Sequence, residues 1–189
     1  MAPLLLIGVL LFFFLIIPII IYNGLIHKRN MVDNAFASID AMLKKRYDLI
    51  PNLVNTVKTY MTHEKETLTK ITELRAKALA NGDPDTQAQV DQEMTGLMRS
   101  IMVAVENYPQ LKANENFLLL QEELVGIENK IAYARQRYNR TVLDLNNSVQ
   151  QFPTNIIAQA FRFQTREFFE VESDKVREVP QVEFNDGEK

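Results

Sequence analysis

KKRYDLIPNLVNTV, Lys44–Val57, decides how this chain folds, because a proline stands in the middle of an otherwise helical stretch. Proline has no backbone N–H, and its ring collides with the carbonyl four residues back, so in a helix interior it costs ~3 kcal/mol or more. Around Pro51 the apolar residues nevertheless keep helical spacing. From Arg29 to about Ala80, Phe36, Leu43, Ile50, Val57, Ile71 and Ala78 recur in one heptad register, and Val32, Ile39, Leu53, Tyr60 and Leu74 in the other. The phase passes residue 51 without a slip, whereas a loop would reset it and bring glycine or polar residues. The pattern predicts a nearly continuous helix kinked at Pro51, with Asp48 able to cap a restarted segment whose first turn tolerates the missing N–H. The alternative is a tight turn at 48–50 between two antiparallel helices.

Toward the N-terminus, Ala2 to Ile26 (APLLLIGVLLFFFLIIPIIIYNGLI) carries no charge and exceeds the ~20 residues a helix needs to cross a hydrocarbon core. The expectation is a transmembrane anchor over residues 1–28. A cleaved signal peptide is disfavoured by the length of the apolar run, the lack of a basic leader and the lack of a small-residue cleavage site. Pro18 is tolerable within a span, and Tyr22 sits where an interfacial aromatic belongs. Lys28 and Arg29 follow the span at once, with Lys44, Lys45 and Arg46 farther on, so the positive-inside rule puts the N-terminus outside and the remainder in the cytoplasm.

Toward the C-terminus, Asn81, Gly82, Asp83 and Pro84 break the first long helix. A second is expected from about Asp85 to Tyr108, with Val90, Met94, Leu97, Ile101, Val105 and Tyr108 forming one stripe before Pro109. A third carries Phe117, Leu124, Ile131, Tyr138 and Leu145 at sevens from Asn116 to Phe152-Pro153. A short fourth runs from Thr154 or Asn155 to about Thr165. The fold class is therefore all-α: an N-terminal transmembrane helix followed by an antiparallel up-and-down bundle of three long helices and a short fourth, over residues 29–170, with a charged, flexible tail at 171–189. An unbroken first helix would outrun its partners, so its membrane-proximal part is expected to be a stalk or to pack against neighbouring copies.

With 189 residues, 47% of them hydrophobic, the chain has room for one domain and an anchor. It has no cysteine, which excludes disulfides, thiol nucleophiles and sulfur-ligated zinc. A net charge of −3 with mixed signs gives no footprint for nucleic acid.

YNGLIHKRNMVDNAFASIDAMLKKRYDLIPNLVNTVKTYMTHE, ENYPQLKANENFLLLQEELVGIENKIAYARQRYNRTV and FPTNIIAQAFRF together resemble the LemA family of bacterial membrane proteins, over Tyr22 to about Glu170. RYDLIPNLV, ENYP-LKANENF and ARQRYN are the most specific of these motifs. The resemblance implies a four-helix bundle behind an N-terminal transmembrane segment. Through a relative in magnetosome-forming bacteria, it also implies a membrane-attached structural role at the bacterial cell membrane. It supplies no catalytic residue.

The residues themselves offer little chemistry. His63, Glu64 and Glu66 are the best candidate constellation, but a di-iron bundle needs Glu-x-x-His from two helices, and the third helix has Glu122, Glu123 and Glu128 without a histidine. Neither H-E-x-x-H nor a glycine-rich phosphate loop is present. No catalytic residue, cofactor or metal is expected. The polar residues that stand out are Arg29 and Asp33, with Asn30, at the membrane exit, and Glu128, Arg135, Tyr138 and Asn139 on the third helix. Charges near a seam must be paired. They form either a register-fixing network inside one bundle or an interface between copies, and the first is the simpler account. Phe161, Phe163, Phe168 and Phe169 admit a membrane-surface reading, opposed by the acids from Glu167 onward; closing one end of the bundle is the favoured role. These readings converge on a scaffold or membrane-organising protein, held in the bilayer through residues 2–26 and acting as a homo-oligomer. The rival is an adaptor for a partner membrane protein such as a protease or sensor.

Overall fold

The computed structural model describes residues 2–80 and 84–169, without the side chains at 2, 4–6, 9–11, 13 and 84–88. The expected break at 81–83 and the tail at 171–189 lie outside the described residues. Those described form six helices and no strand: α1 (Ala2–Lys58), α2 (Lys65–Ala80), α3 (Pro84–Val105), α4 (Pro109–Lys112), α5 (Glu115–Gln150) and α6 (Thr154–Ala160). Among the described residues no helix is long and apolar enough to cross a membrane, so the anchor expected at residues 1–28 rests on the sequence.

Helix α1 runs through Pro51 unbroken, and the antiparallel turn weighed at 48–50 does not occur. Val32, Ile39, Leu43, Ile50, Leu53 and Val57 are all buried, as their heptad spacing requires. Pro51 removes the N–H that would serve the carbonyl of Tyr47. Arg75 of α2 serves it instead, its Nε donating to that oxygen at 2.8 Å. The lost rung of the helix ladder is thus replaced by a tertiary bond.

The chain turns only after α1 has run seven residues past the proline. The expected continuous helix to Ala80 is wrong: α1 ends at Lys58, and residues 59–64 fold α2 back along it. The N–H groups of Tyr60 and Met61 both donate to the carbonyl of Val57, at 2.9 and 2.8 Å, which tightens the last turn. Met61 is buried in the core, while Glu64 accepts a hydrogen bond from the Tyr108 hydroxyl at 2.9 Å. The heptad itself lapses here, since Glu64 and Thr67 occupy the positions that Val57 and Tyr60 lead to.

Helices α1 and α5 are antiparallel partners over the whole of α5. Lys28 Nζ meets Ser148 Oγ at 2.6 Å, the Phe36 and Tyr138 rings are 5.9 Å apart, Arg46 reaches Glu128 at 3.2 Å, and the Asn114 amide reaches the Tyr60 hydroxyl at 3.4 Å. The part of α1 from Lys28 on, expected to be a stalk or to pack against neighbouring copies, packs against α5 instead. Helices α2 and α3 join this pair only at its upper half, where one core unites Ile39–Val57, Leu68–Ala78, Val90–Val105 and Phe117–Ala134. Below it, Val32, Val142 and Leu145 make a separate small cluster between α1 and α5. At 16 and 22 residues, α2 and α3 are about 24 and 33 Å long, against about 54 Å for the 36 residues of α5, so they cannot cover it.

Helix α6 closes the lower end, and it stops at Ala160 rather than near Thr165. Arg162 then adopts a left-handed conformation (φ 57°), and the Phe163 N–H donates back to the Ala158 carbonyl at 2.8 Å, so the chain reverses direction. Residues 163–169 continue without helical structure up the α5 surface.

Candidate functional site

Two opposite charges lie inside the upper core. Arg46 on α1 and Asp91 on α3 are 2% and 0% exposed, and their Nη1–Oδ1 distance is 2.7 Å. Arg46 Nη2 also donates to Thr95 Oγ1 at 2.9 Å, and its Nη1 lies 3.2 Å from the Glu128 carboxylate on α5. The other oxygen of Asp91 is taken by Arg135 of α5. The Arg135 guanidinium in turn lies 4.9 Å over the Phe169 ring. Two cations and two anions cancel, which is the condition for keeping such groups in a core.

Burial lowers the Arg46 pKa from its usual value, opposed by Glu128 and then Tyr47. Burial does the same to Arg135, reinforced by the charge of Arg46 and opposed by Tyr47. The Tyr47 hydroxyl, buried without a hydrogen-bond partner among the described residues, has its pKa raised by burial, with the two guanidiniums acting against the rise. Both oxygens of Asp91 and one of Glu128 are held by guanidinium groups. The geometry of the cluster suits it to locking α1, α3 and α5 in one register.

The polar residues singled out in the sequence do not form one network. Glu128 and Arg135 belong to the buried cluster, beside Arg46 and Asp91, which were not singled out. Tyr138 and Asn139 face the returning segment: the Tyr138 hydroxyl donates to the Glu167 carbonyl at 3.2 Å, and the Asn139 side chain bonds both the N–H and the carbonyl of Phe169, at 2.7 and 3.1 Å. Asn146 does the same for Arg166, at 2.8 and 2.9 Å. The match is geometric. Seven residues of helix rise about 10.5 Å, and three residues of extended chain span about 10 Å, so two asparagines a heptad apart meet backbone groups three residues apart. Arg29 lies 5.9 Å over the Phe163 ring, and Asp33 pairs with Arg166 at 3.6 Å on the surface.

The His63 constellation also comes apart, because His63 is exposed in the 59–64 turn and Glu66 is exposed in the first turn of α2. Among the described residues no group of three His, Asp or Glu side chains is placed to hold a metal ion.

Each of the three motifs thus has a structural task. RYDLIPNLV supplies Arg46 to the buried cluster and Tyr47 and Pro51 to the junction with α2. ENYPQLKANENF builds the α3–α5 corner: Tyr108 ties to Glu64, Pro109 opens α4, Leu111 is buried, and Asn114 caps α5 by accepting from the Phe117 N–H at 3.1 Å. ARQRYN supplies Arg135 to the cluster and Tyr138 and Asn139 to the strap. Their interest lies in whether the same geometry recurs in relatives. Protein LemA of Metamycoplasma hominis is 30% identical over 158 residues, covering 79% of this chain and 72% of that protein. Magnetosome proteins MamQ 1 and MamQ 2 of Paramagnetospirillum magneticum are each 29% identical over 70 residues, covering 37% of this chain and 26% of theirs. Residues 35–184 match the model of the LemA family, and the chain belongs to that family.

Proposed function

We propose that this chain is a non-enzymatic, single-pass membrane protein that organises membrane by self-association, with residues 2–26 as its anchor and the bundle in the cytoplasm. The observation that carries this reading is the outward face of α5. Leu118, Val125 and Leu143 are all exposed there, seven and eighteen residues apart, close to whole numbers of helical turns, and Tyr133 beside them is 70% exposed. They lie opposite Ile127, Ala134 and Leu145, which face the core. Exposed apolar side chains on the outside of a bundle are points through which copies associate, and here they are spaced between the polar Asn129, Gln136 and Arg140. Below Tyr22, α1 leaves Phe12, Phe14, Leu15, Ile17, Ile19 and Ile20 exposed, which suits a lipid surround. The magnetosome proteins among the relatives accord with a role at membranes.

The test is the particle size of the full-length chain in mild detergent. Self-association predicts large particles that shrink in Val125→Glu without loss of helix content. Small, uniform particles of the unaltered chain would refute it, and growth only on adding a partner membrane protein would favour an adaptor instead.

A further inference from the structure

We infer that the closed lower end of the bundle, α6 and its flanks, lies in the headgroup region of the bilayer as a second membrane contact beside the anchor. The inference rests on the reading of residues 2–26 as a membrane span.

Its geometric basis is the position of Tyr22. That ring, at the level where α1 would leave the hydrocarbon, packs on Phe161 at 4.7 Å and on Phe163 at 5.8 Å. The end of α6 is therefore at the same height as the interfacial aromatic of the anchor. From this end Phe152 (80% exposed), Ile156 and the side of Phe161 turned away from Tyr22 project exposed apolar surface. Aromatic and aliphatic side chains in this arrangement gain most at the boundary between headgroups and acyl chains.

Charge points the same way. No Asp or Glu occurs from Met1 to Val32 or from Leu145 to Arg166, while Lys28, Arg29, Arg162 and Arg166 fall within those two stretches. Asp33, at the upper edge of this end, offsets Arg166, which leaves Lys28, Arg29 and Arg162 as an excess of positive charge in a chain of net charge −3, and that suits anionic lipid. Glu167, the first of the acids that oppose a membrane reading of this segment, is held at Tyr138 through its carbonyl, away from this end. The strap runs from Asn146 to Asn139 along α5, about 10 Å farther from the lower end. Arg162 adds an independent sign. It holds a left-handed conformation that glycine would take without strain, at an exposed position with no bonding role in the turn beyond its backbone.

The chain contains no tryptophan, so single reporters can be placed in the full-length protein reconstituted into vesicles of phosphatidylcholine and phosphatidylglycerol. Phe152→Trp and Ile156→Trp are expected to emit at short wavelength and to lose most of their emission when the lipids carry brominated acyl chains. Tyr133→Trp, on the outer face of α5 and remote from the lower end, is expected to keep its emission in the brominated lipids. Phe14→Trp, within the anchor, is expected to be quenched most. Quenching at Phe14→Trp with none at Phe152→Trp or Ile156→Trp would overturn this inference and leave the anchor standing. No quenching at Phe14→Trp would overturn both. Weaker quenching of Ile156→Trp when Arg162→Glu is added, with unchanged helix content, is the expected sign that cations hold α6 to the surface; equal quenching would overturn that attraction.

Discussion

Asp91→Ala tests the buried cluster most directly. Asp91 is wholly buried and holds two guanidiniums, one on each carboxylate oxygen; the side chains of Arg46 and Arg135 are 3% and 17% exposed. Removing it leaves two like charges in a core with only Glu128, itself partly in solvent, to offset one of them. Breaking a buried pair from one side costs about 3–5 kcal/mol, which for a chain of this size lowers the melting temperature by roughly 6–20 °C. The measurement is thermal unfolding of the full-length protein in detergent, followed by circular dichroism. Arg46→Met in the same molecule removes half of the uncompensated charge, so the two substitutions are expected to cost about 1.5–3 kcal/mol less together than their separate costs predict. Replacing all three at once, Asp91→Leu with Arg46→Met and Arg135→Met, is expected to recover most of the stability, because an apolar trio needs no desolvation of charge. A melting temperature for Asp91→Ala within about 2 °C of the unaltered protein, equivalent to less than ~1 kcal/mol, would refute the argument.

Arg75→Met should orphan the Tyr47 carbonyl and cost about 1–3 kcal/mol. In a Pro51→Ala background, where alanine restores an N–H to that carbonyl, the same change should cost clearly less, and equal costs would refute the replacement of the helix bond by Arg75. Tyr47 has a raised pKa in the fold, so the folded state favours its neutral form: stability is intact below about pH 10, the usual tyrosine value, and falls as pH rises from there toward the higher folded value. Tyr47→Phe should unfold less readily than the unaltered chain between about pH 10 and 11, measured by melts across that range. Leu124→Ala and Ile131→Ala should each cost about 2–5 kcal/mol in chemical unfolding, since both side chains are buried in the main core. Asn146→Ala should free the strap and raise amide exchange at 164–169, while exchange in α2 and α3 stays unchanged; unaltered exchange at 164–169 would show that the strap is held by Phe169 instead.

Helix content and the passage of α1 through Pro51 were readable from the sequence, because heptad spacing is a property of one segment and its neighbours within a few turns. Ile39, Leu43, Ile50, Leu53 and Val57 announce a buried face on either side of the proline, and they are buried. Two signals were present but passed over. Glu64 and Thr67 interrupt the seam where the chain turns. Asp91 lies three residues before Met94, and Arg46 lies three after Leu43, so each occupies a seam position where a charge demands a partner. Which charge answers which, however, depends on how helices 45 residues apart in sequence are set against one another. The bond from Arg75 to the Tyr47 carbonyl spans 28 residues, and the strap meets Asn139 and Asn146 across 30 and 20. Such pairings arise from the lengths of whole helices. Because α2 and α3 are too short to cover α5, the lower half of the α1–α5 pair is left open, and the returning chain fills it with backbone amides that no side-chain pattern records.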